Sequence, residues 1–318
     1  MVTRRWILDN LSQPTFEHLA ALSGSELASV LLEVMQRHAA ARAPADVLAQ
    51  YQRDPFCAPA AVDQRTSVAL DAHLLAAATD FEAIELSPVA PLAACSSVAP
   101  THQNRVLSAL RSTESVSDPT NVLALECARR LRTTAGPIHL ATTQRVIRAQ
   151  PIPKHPGYAP HFRMFALASA GIEAKDHAFT AAALERHIRT MLAALDRLEH
   201  HGYAFGARRV DLLATPQRAA LADRIAAALG APAPAGHAAP ADQATPAAIV
   251  VQRKLLEHAY YSGGMRYMLW VNADDGTQIP LIDGGSFDWL AKLTSNRRAV
   301  YVASGGGSQL IAIRFRAP

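Results

Sequence analysis

Arg148 lies in TTQRVIRAQP, a β-branched and apolar stretch where a guanidinium needs a partner of opposite charge. Asp118, Glu173 or the phosphate of a ligand could supply it, and Arg148 is the strongest single candidate for a binding residue. The glycine run of VYVASGGGS follows a strand-like segment, a form whose backbone N–H groups can cradle phosphate. No GK[ST] follows, so a tight packing turn is an equal reading of the same residues. Tyr260 and Tyr261 either line a pocket or pack within a sheet. His155 and His161, with Asp176 or His177, have the residue types of a metal site, but 13 histidines make such neighbours common and favour loop and surface roles. His200 and His201 suit the negative end of a helix dipole better than a metal. Cys57, Cys95 and Cys127 form an odd set without CxxC or His/Cys ligand spacing, which argues against a disulfide framework or a zinc site and fits a reducing cytoplasm.

The elements that must position these residues follow from periodicity. Apolar residues recur at helical spacing over 16–42, with Ser23 or Ser25 placed to cap a second helix, and again over 62–78. In FEAIELSPVAPL, Ile84 and Leu86 suggest a strand that ends at Pro88. DPTNVLALECARRLR reads as a helix capped by Asp118 or Thr120 with Pro119 in its first turn. IHLATTQRVIRAQ and HFRMFALASAG read as a hairpin with a long tip at 151–160. A helix is expected over 179–198, then a strand in RRVDLLAT, a helix in PQRAALADRIAAALG and a flexible Ala/Pro-rich loop at about 230–248. Asp275-Gly276 marks a late hairpin. PLIDGGSFDWLAKL then carries two adjacent glycines where a strand turns into a helix, and RRAVYVASGGG is a strand entering a glycine-rich turn.

Composition sets the outer limits. A chain of 318 residues, 50% hydrophobic, can bury one large core or two small ones. A formal charge of +4 from 31 basic and 27 acidic residues is too mild to point to nucleic acid by itself. No apolar run approaches a membrane span, the N-terminus lacks an apolar targeting segment, and there is no internal repeat, so a soluble, cytoplasmic, untargeted protein is expected.

The order of these pieces resembles the catalytic core of class II aminoacyl-tRNA synthetases, and most closely the histidyl-tRNA synthetase-like branch. In that branch a segment written roughly DYYTG, a β-hairpin and a GGRYDGL segment precede the last motif. Here Ala259, Tyr260, Tyr261, Ser262 and Gly263 are followed by the Asp275-Gly276 hairpin and then by Gly284, Gly285, Ser286, Phe287, Asp288, Trp289 and Leu290. The likeness runs from about residue 62 to 315. It implies an α/β (α+β) fold, a class II synthetase-like antiparallel sheet flanked by helices (61–318), preceded by an N-terminal helical extension (1–60). Gly284 and Gly285 would let the backbone approach a bound amino acid or adenylate. Trp289, replacing a small residue of the pattern, would fill part of the pocket.

The resemblance also shows what is missing. Synthetases of this class bend ATP over the sheet and hold its phosphates with arginines, which stabilise the charge built up at the α-phosphate. The motif 2 arginine corresponds to Arg148, but the acidic residue after it has become Gln150. The motif 3 arginine, which would hold the γ-phosphate, corresponds to Gln309. The glutamine and glutamate that grip the substrate's ammonium group align with Met164 and Ala168, and the arginine ahead of DYYTG aligns with Leu256. Asp118, followed by Thr120, keeps the acidic position at the start of the helix after motif 1. The sequence ends at Pro318, directly after motif 3, which implies no anticodon-binding domain.

Two readings follow from the resemblance. The first is a paralogue that does not charge tRNA, akin to the regulatory subunit of ATP phosphoribosyltransferase, binding a small amino-acid-like or nucleotide ligand or a protein partner. The second is a ligase that activates a carboxylate with ATP and Mg²⁺ through a rearranged set, Arg148 with Arg163, Arg145 or Arg298. The expected ligand-binding residues are Arg148, Asp118, Thr120, Arg163, Tyr260, Tyr261, Gly284, Gly285 and Gln309. A homodimer through the motif 1 region, about 84–97, is implied as well.

Overall fold

The computed structural model describes residues 12–153, 155–230, 250–258 and 260–316. The Ala/Pro-rich stretch expected to be a loop at 230–248 lies, apart from Gly230, outside them.

The chain begins with α1 (Gln13–Ala21), α2 (Gly24–Ala40) and α3 (Pro44–Arg53). Ser23 starts α2 with a capping box: the Glu26 N–H donates to the Ser23 hydroxyl, and the Ser23 N–H donates to the Glu26 carboxylate at 2.9 Å. Such a cap is worth about 1 kcal/mol. None of these three helices buries a residue. The next helix, α4 (Gln64–Ala77), turns Leu70 and Leu74 into the core.

The segment expected to be a strand through Ile84 and Leu86 ending at Pro88 is mostly irregular. Only β1 (Glu82–Ala83) and β2 (Val89–Pro91) form, separated by Pro88, and a π-helical turn covers Ala94–Val98. β1 adds to the main sheet while β2 joins a small sheet with β3 (Ser108–Ala109) and β4 (Thr113–Ser115). β1 stops at Ala83, so Ile84 and Leu86 lie outside any strand, and Pro88, with no N–H to donate to a ladder, sits just before β2.

Asp118 caps α5 (Pro119–Arg130), its carboxylate accepting from the Thr120 N–H at 2.9 Å. The hairpin follows as β5 (Ile138–Ile147) and β6 (His161–Ile172), then the 22-residue helix α6 (Ala178–Glu199), β7 (Arg208–Ala214), α7 (Ala219–Gly230) and β8 (Val250–Leu255). The late hairpin is β9 (Met265–Asn272) and β10 (Gln278–Phe287), with Gly276 at φ 77° in its turn. Then come α8 (Trp289–Thr294), β11 (Ala299–Gly306) and α9 (Ser308–Arg314). Gly284 and Gly285 lie inside β10 and are not the turn into α8, which corrects the reading of PLIDGGSFDWLAKL.

Eight strands pair in the order β1-β5-β6-β11-β10-β9-β7-β8. The pairings are antiparallel except for β1 with β5 and β7 with β8. Alternation along each strand splits the core into two layers. Phe165, Leu167, Tyr267, Leu269 and Val302 face a back layer holding Leu184, Ile188, Met191 and Leu195 of α6. Leu140, Ala166, Ala168, Ala170 and Ala303 face α5 and α8 on the front. Small residues in the middle of β6 keep that front face shallow, and a cavity opens beside it. All three cysteines are free, and burial pushes the Cys95 and Cys127 thiols up to about 12.

Candidate functional site

A cavity of about 430 Å³ sits on the front of the sheet. Its floor is Ala303, Gly305 and Gly306 of β11; Phe162 and Met164 of β6 form one side, and Tyr260, Tyr261 and Phe287 the other. Gly157 and Tyr158, from the tip of the β5–β6 hairpin, complete the rim.

Arg148 enters just past the end of β5, where its backbone N–H donates to the Pro160 carbonyl at 2.8 Å. Its Nε donates to the Ser117 carbonyl at 2.9 Å, and Nη2 lies 3.4 Å from the Met164 sulfur and 3.6 Å from Asp118 Oδ2. The Phe162 ring lies against the guanidinium, 5.2 Å from ring centroid to Cζ. Asp118 spends its other oxygen on Thr120, accepting from both its N–H and its hydroxyl. Arg148 is therefore matched by Asp118, one of the two carboxylates its sequence context offers. Glu173, the other, instead accepts the N–H groups of Phe179 and Thr180 at the start of α6.

Across the cavity lies a second pair. Arg266 meets Asp283 through Nε at 3.1 Å and Nη2 at 2.7 Å, a two-pronged geometry, and its Cζ lies 4.9 Å from the centre of the Tyr261 ring. Burial first, and the Asp283 carboxylate second, push the Tyr261 hydroxyl well above the ordinary phenol range. Burial, then Asp118, does the same to Tyr260. Both tyrosines stay neutral at physiological pH, and the Tyr261 hydroxyl is engaged by the Asp283 carboxylate.

Six of the nine residues expected at a ligand site line this cavity: Asp118, Thr120, Arg148, Tyr260, Tyr261 and Gly284. Arg163, Gly285 and Gln309 do not. Phe162 and Met164 face the cavity, so strand alternation sends Arg163 to the back, where it pairs with Asp71 of α4 at 2.6 Å. Arg145, paired in register with Arg163, shares that face and contacts His161 at 3.0 Å. Arg298 is spent on the Glu173 carbonyl at 3.3 Å. None of the three joins Arg148 in the rearranged arginine set. A Cβ on Gly285 would collide with the backbone carbonyl oxygen of Met265 on the neighbouring strand and come within 2.5 Å of the Tyr261 ring, so this glycine makes room for β9 and Tyr261 and not for a ligand. Gln309 is buried at 4% exposure, and Leu310 is the α9 side chain that reaches the cavity. Trp289 is buried against Phe287 and Tyr301, at ring distances of 4.2 and 5.7 Å, and takes no space from the cavity.

Arg266 and Asp283 were not singled out in the sequence. A strand bulge between Pro280 and Ile282 shifts the β9–β10 register, so counting outward from the Asp275-Gly276 turn places Asp283 on the opposite face from Arg266. Phe162 carried a signal, two residues before Met164 in the same alternation. Among the described residues no cluster of three metal-binding side chains exists, and no helix is long and apolar enough to cross a membrane.

No protein-family model and no curated protein matches this sequence. Solved structures do match in three dimensions. The ATP phosphoribosyltransferase regulatory subunit/histidyl-tRNA synthetase of Bacillus halodurans C superposes with a TM-score of 0.54 at 15% identity, covering 78% of each chain. The fold is that of the class II aminoacyl-tRNA synthetases. The histidine–tRNA ligase subunit of Alicyclobacillus acidocaldarius gives 0.55 at 13% identity over 80% of this chain and 94% of its own. Histidyl-tRNA synthetase of S. aureus gives 0.50 at 12% identity over 78% of this chain and 64% of its own. At these identities the likeness establishes the class II architecture, and function has to be argued from the site.

Proposed function

We propose that this class II synthetase-like protein does not charge tRNA and serves a regulatory role, holding a small amino-acid-like or nucleotide ligand in the front cavity without activating it. The observation that carries the reading is the charge of the cavity wall. Its described lining residues bring Arg148, paired with Asp118, and Asp283, paired with Arg266 behind it, so each guanidinium at the cavity is already matched by a carboxylate. A triphosphate needs unmatched positive charge. Leu310, on the helix where the synthetases place a phosphate-holding arginine, offers no charge. The residues present therefore do not fit ATP with Mg²⁺ in the pose that activates a carboxylate. A ligand's ammonium group suits Asp283, and a flat apolar or aromatic body suits Phe162, Tyr260, Tyr261 and the glycines of β11.

Calorimetric titration with amino acids, histidine among them, and with adenosine and ATP tests this. One amino acid or nucleoside is expected to bind at a single site, ATP no tighter than adenosine, and Asp283→Asn is expected to weaken an amino-acid ligand about tenfold. ATP as the tightest ligand would contradict the reading.

The proposal extends to a cytoplasmic homodimer joined through the 84–97 segment, where Val89 and Leu92 are exposed, with room for a protein partner. Light scattering at micromolar concentration is expected to give twice the chain mass; a monomer would remove that part.

A further inference from the structure

A second cavity, of about 410 Å³, opens on the far side of Arg148. It shares Arg148, Asp118, Gln150 and Tyr260 with the first, and Thr101, Arg105, Asn121 and His258 help to close it.

Asn121 lies in the first turn of α5 at 3% exposure, and its Oδ1 has no hydrogen-bond partner among the described residues. A buried acceptor left unsatisfied is costly, and one on a cavity wall is met by an N–H or O–H of whatever enters. Arg105 is exposed and makes no side-chain hydrogen bond or ion pair among the described residues, yet its backbone is held in place. The Ala149 N–H donates to the Arg105 carbonyl at 2.8 Å, which keeps Arg105 beside the strand end that carries Arg148. His258 accepts the Tyr260 N–H on Nδ1 at 3.2 Å, so the neutral ring carries its proton on Nε2 and is a donor there. Two guanidiniums against the single carboxylate of Asp118, itself engaged with Arg148 and Thr120, leave this cavity with one positive charge.

The geometry points to an anion subsite separate from the front cavity, shaped for a small organic acid that carries its own hydrogen-bond donor. The anionic oxygens, carboxylate or phosphate, face Arg105 and the Nε2–H of His258, and the donor faces Asn121 Oδ1. This assignment holds whether or not the front cavity takes an amino acid, because Arg105, Asn121 and His258 do not line that cavity.

Calorimetry at low ionic strength with L-malate and glycerol 3-phosphate, each bearing a hydroxyl donor, tests it. L-Malate is expected to bind with unit stoichiometry, and whether glycerol 3-phosphate binds more tightly identifies the acid. Arg105→Gln, a change at an exposed side chain, is expected to weaken binding about tenfold, while Arg65→Gln, the same loss of charge on α4, leaves it unchanged. L-Malate is expected to bind more tightly than succinate, which lacks the hydroxyl, and Asn121→Leu to remove that preference. No binding of either probe, equal weakening by the two arginine variants, or no difference between L-malate and succinate would overturn the assignment.

Discussion

Lowering the pH from 7 to 5 is expected to cost the wild-type protein about 2 kcal/mol more stability than it costs a His187→Gln variant. His187 is fully buried on α6 behind the cavity, inside a chain of polar side chains. Its Nε2 is 2.8 Å from the Ser169 hydroxyl, which is 2.7 Å from His139, and its Nδ1 is 2.8 Å from the hydroxyl of Ser304. Ser304 is itself on the cavity wall. Burial, and then the nearby His139 and Arg186, push the imidazole down from 6.5 to about 3. A base whose affinity for protons is depressed in the folded state stabilises that state above its unfolded pKa. The contribution is lost as pH falls from about 6.5 toward 3, because the unfolded chain binds the proton the folded chain refuses. Urea unfolding at the two pH values reads the difference directly. Equal losses in the two proteins would show that His187 is not the neutral, buried link described here.

The sequence was most informative where local chemistry and pattern agreed. The Ser23 and Asp118 caps, the β5–β6 hairpin, α6 and the Asp275-Gly276 turn all formed where expected, because each depends on neighbours within a few residues. The order of elements carried the class II resemblance for the same reason. Features set by register or by long-range packing were less legible. Arg163 was expected to join Arg148 at the ligand site, but strand alternation places it behind the sheet. The β10 bulge hid the Arg266–Asp283 pair, and the segment after Glu82 broke into short strands across two sheets. Gln309 and Leu310 could not be ranked from spacing alone, since a shift of one residue on α9 decides which reaches the cavity. Gly285 was legible as a glycine with a purpose, but its purpose is room for the Met265 backbone and the Tyr261 ring.

The second large effect concerns catalysis. Amino-acid activation by this fold, as the resemblance describes it, requires guanidinium groups poised on the α- and γ-phosphates. Here Arg148 is committed to Asp118, and Arg145, Arg163 and Arg298 are held elsewhere. Loss of a single preorganised donor lowers such rates about a hundredfold to a thousandfold, and here the γ-phosphate position has none while the α-phosphate position is already paired. Ligand binding without activation is tested most directly by amino-acid-dependent ATP–pyrophosphate exchange by the purified protein, scanned across the standard amino acids with histidine included. No exchange above the protein-free background with any amino acid is the predicted result. Sustained exchange with one of them, abolished by Arg148→Ala, would show that the cavity activates its ligand and would contradict the account.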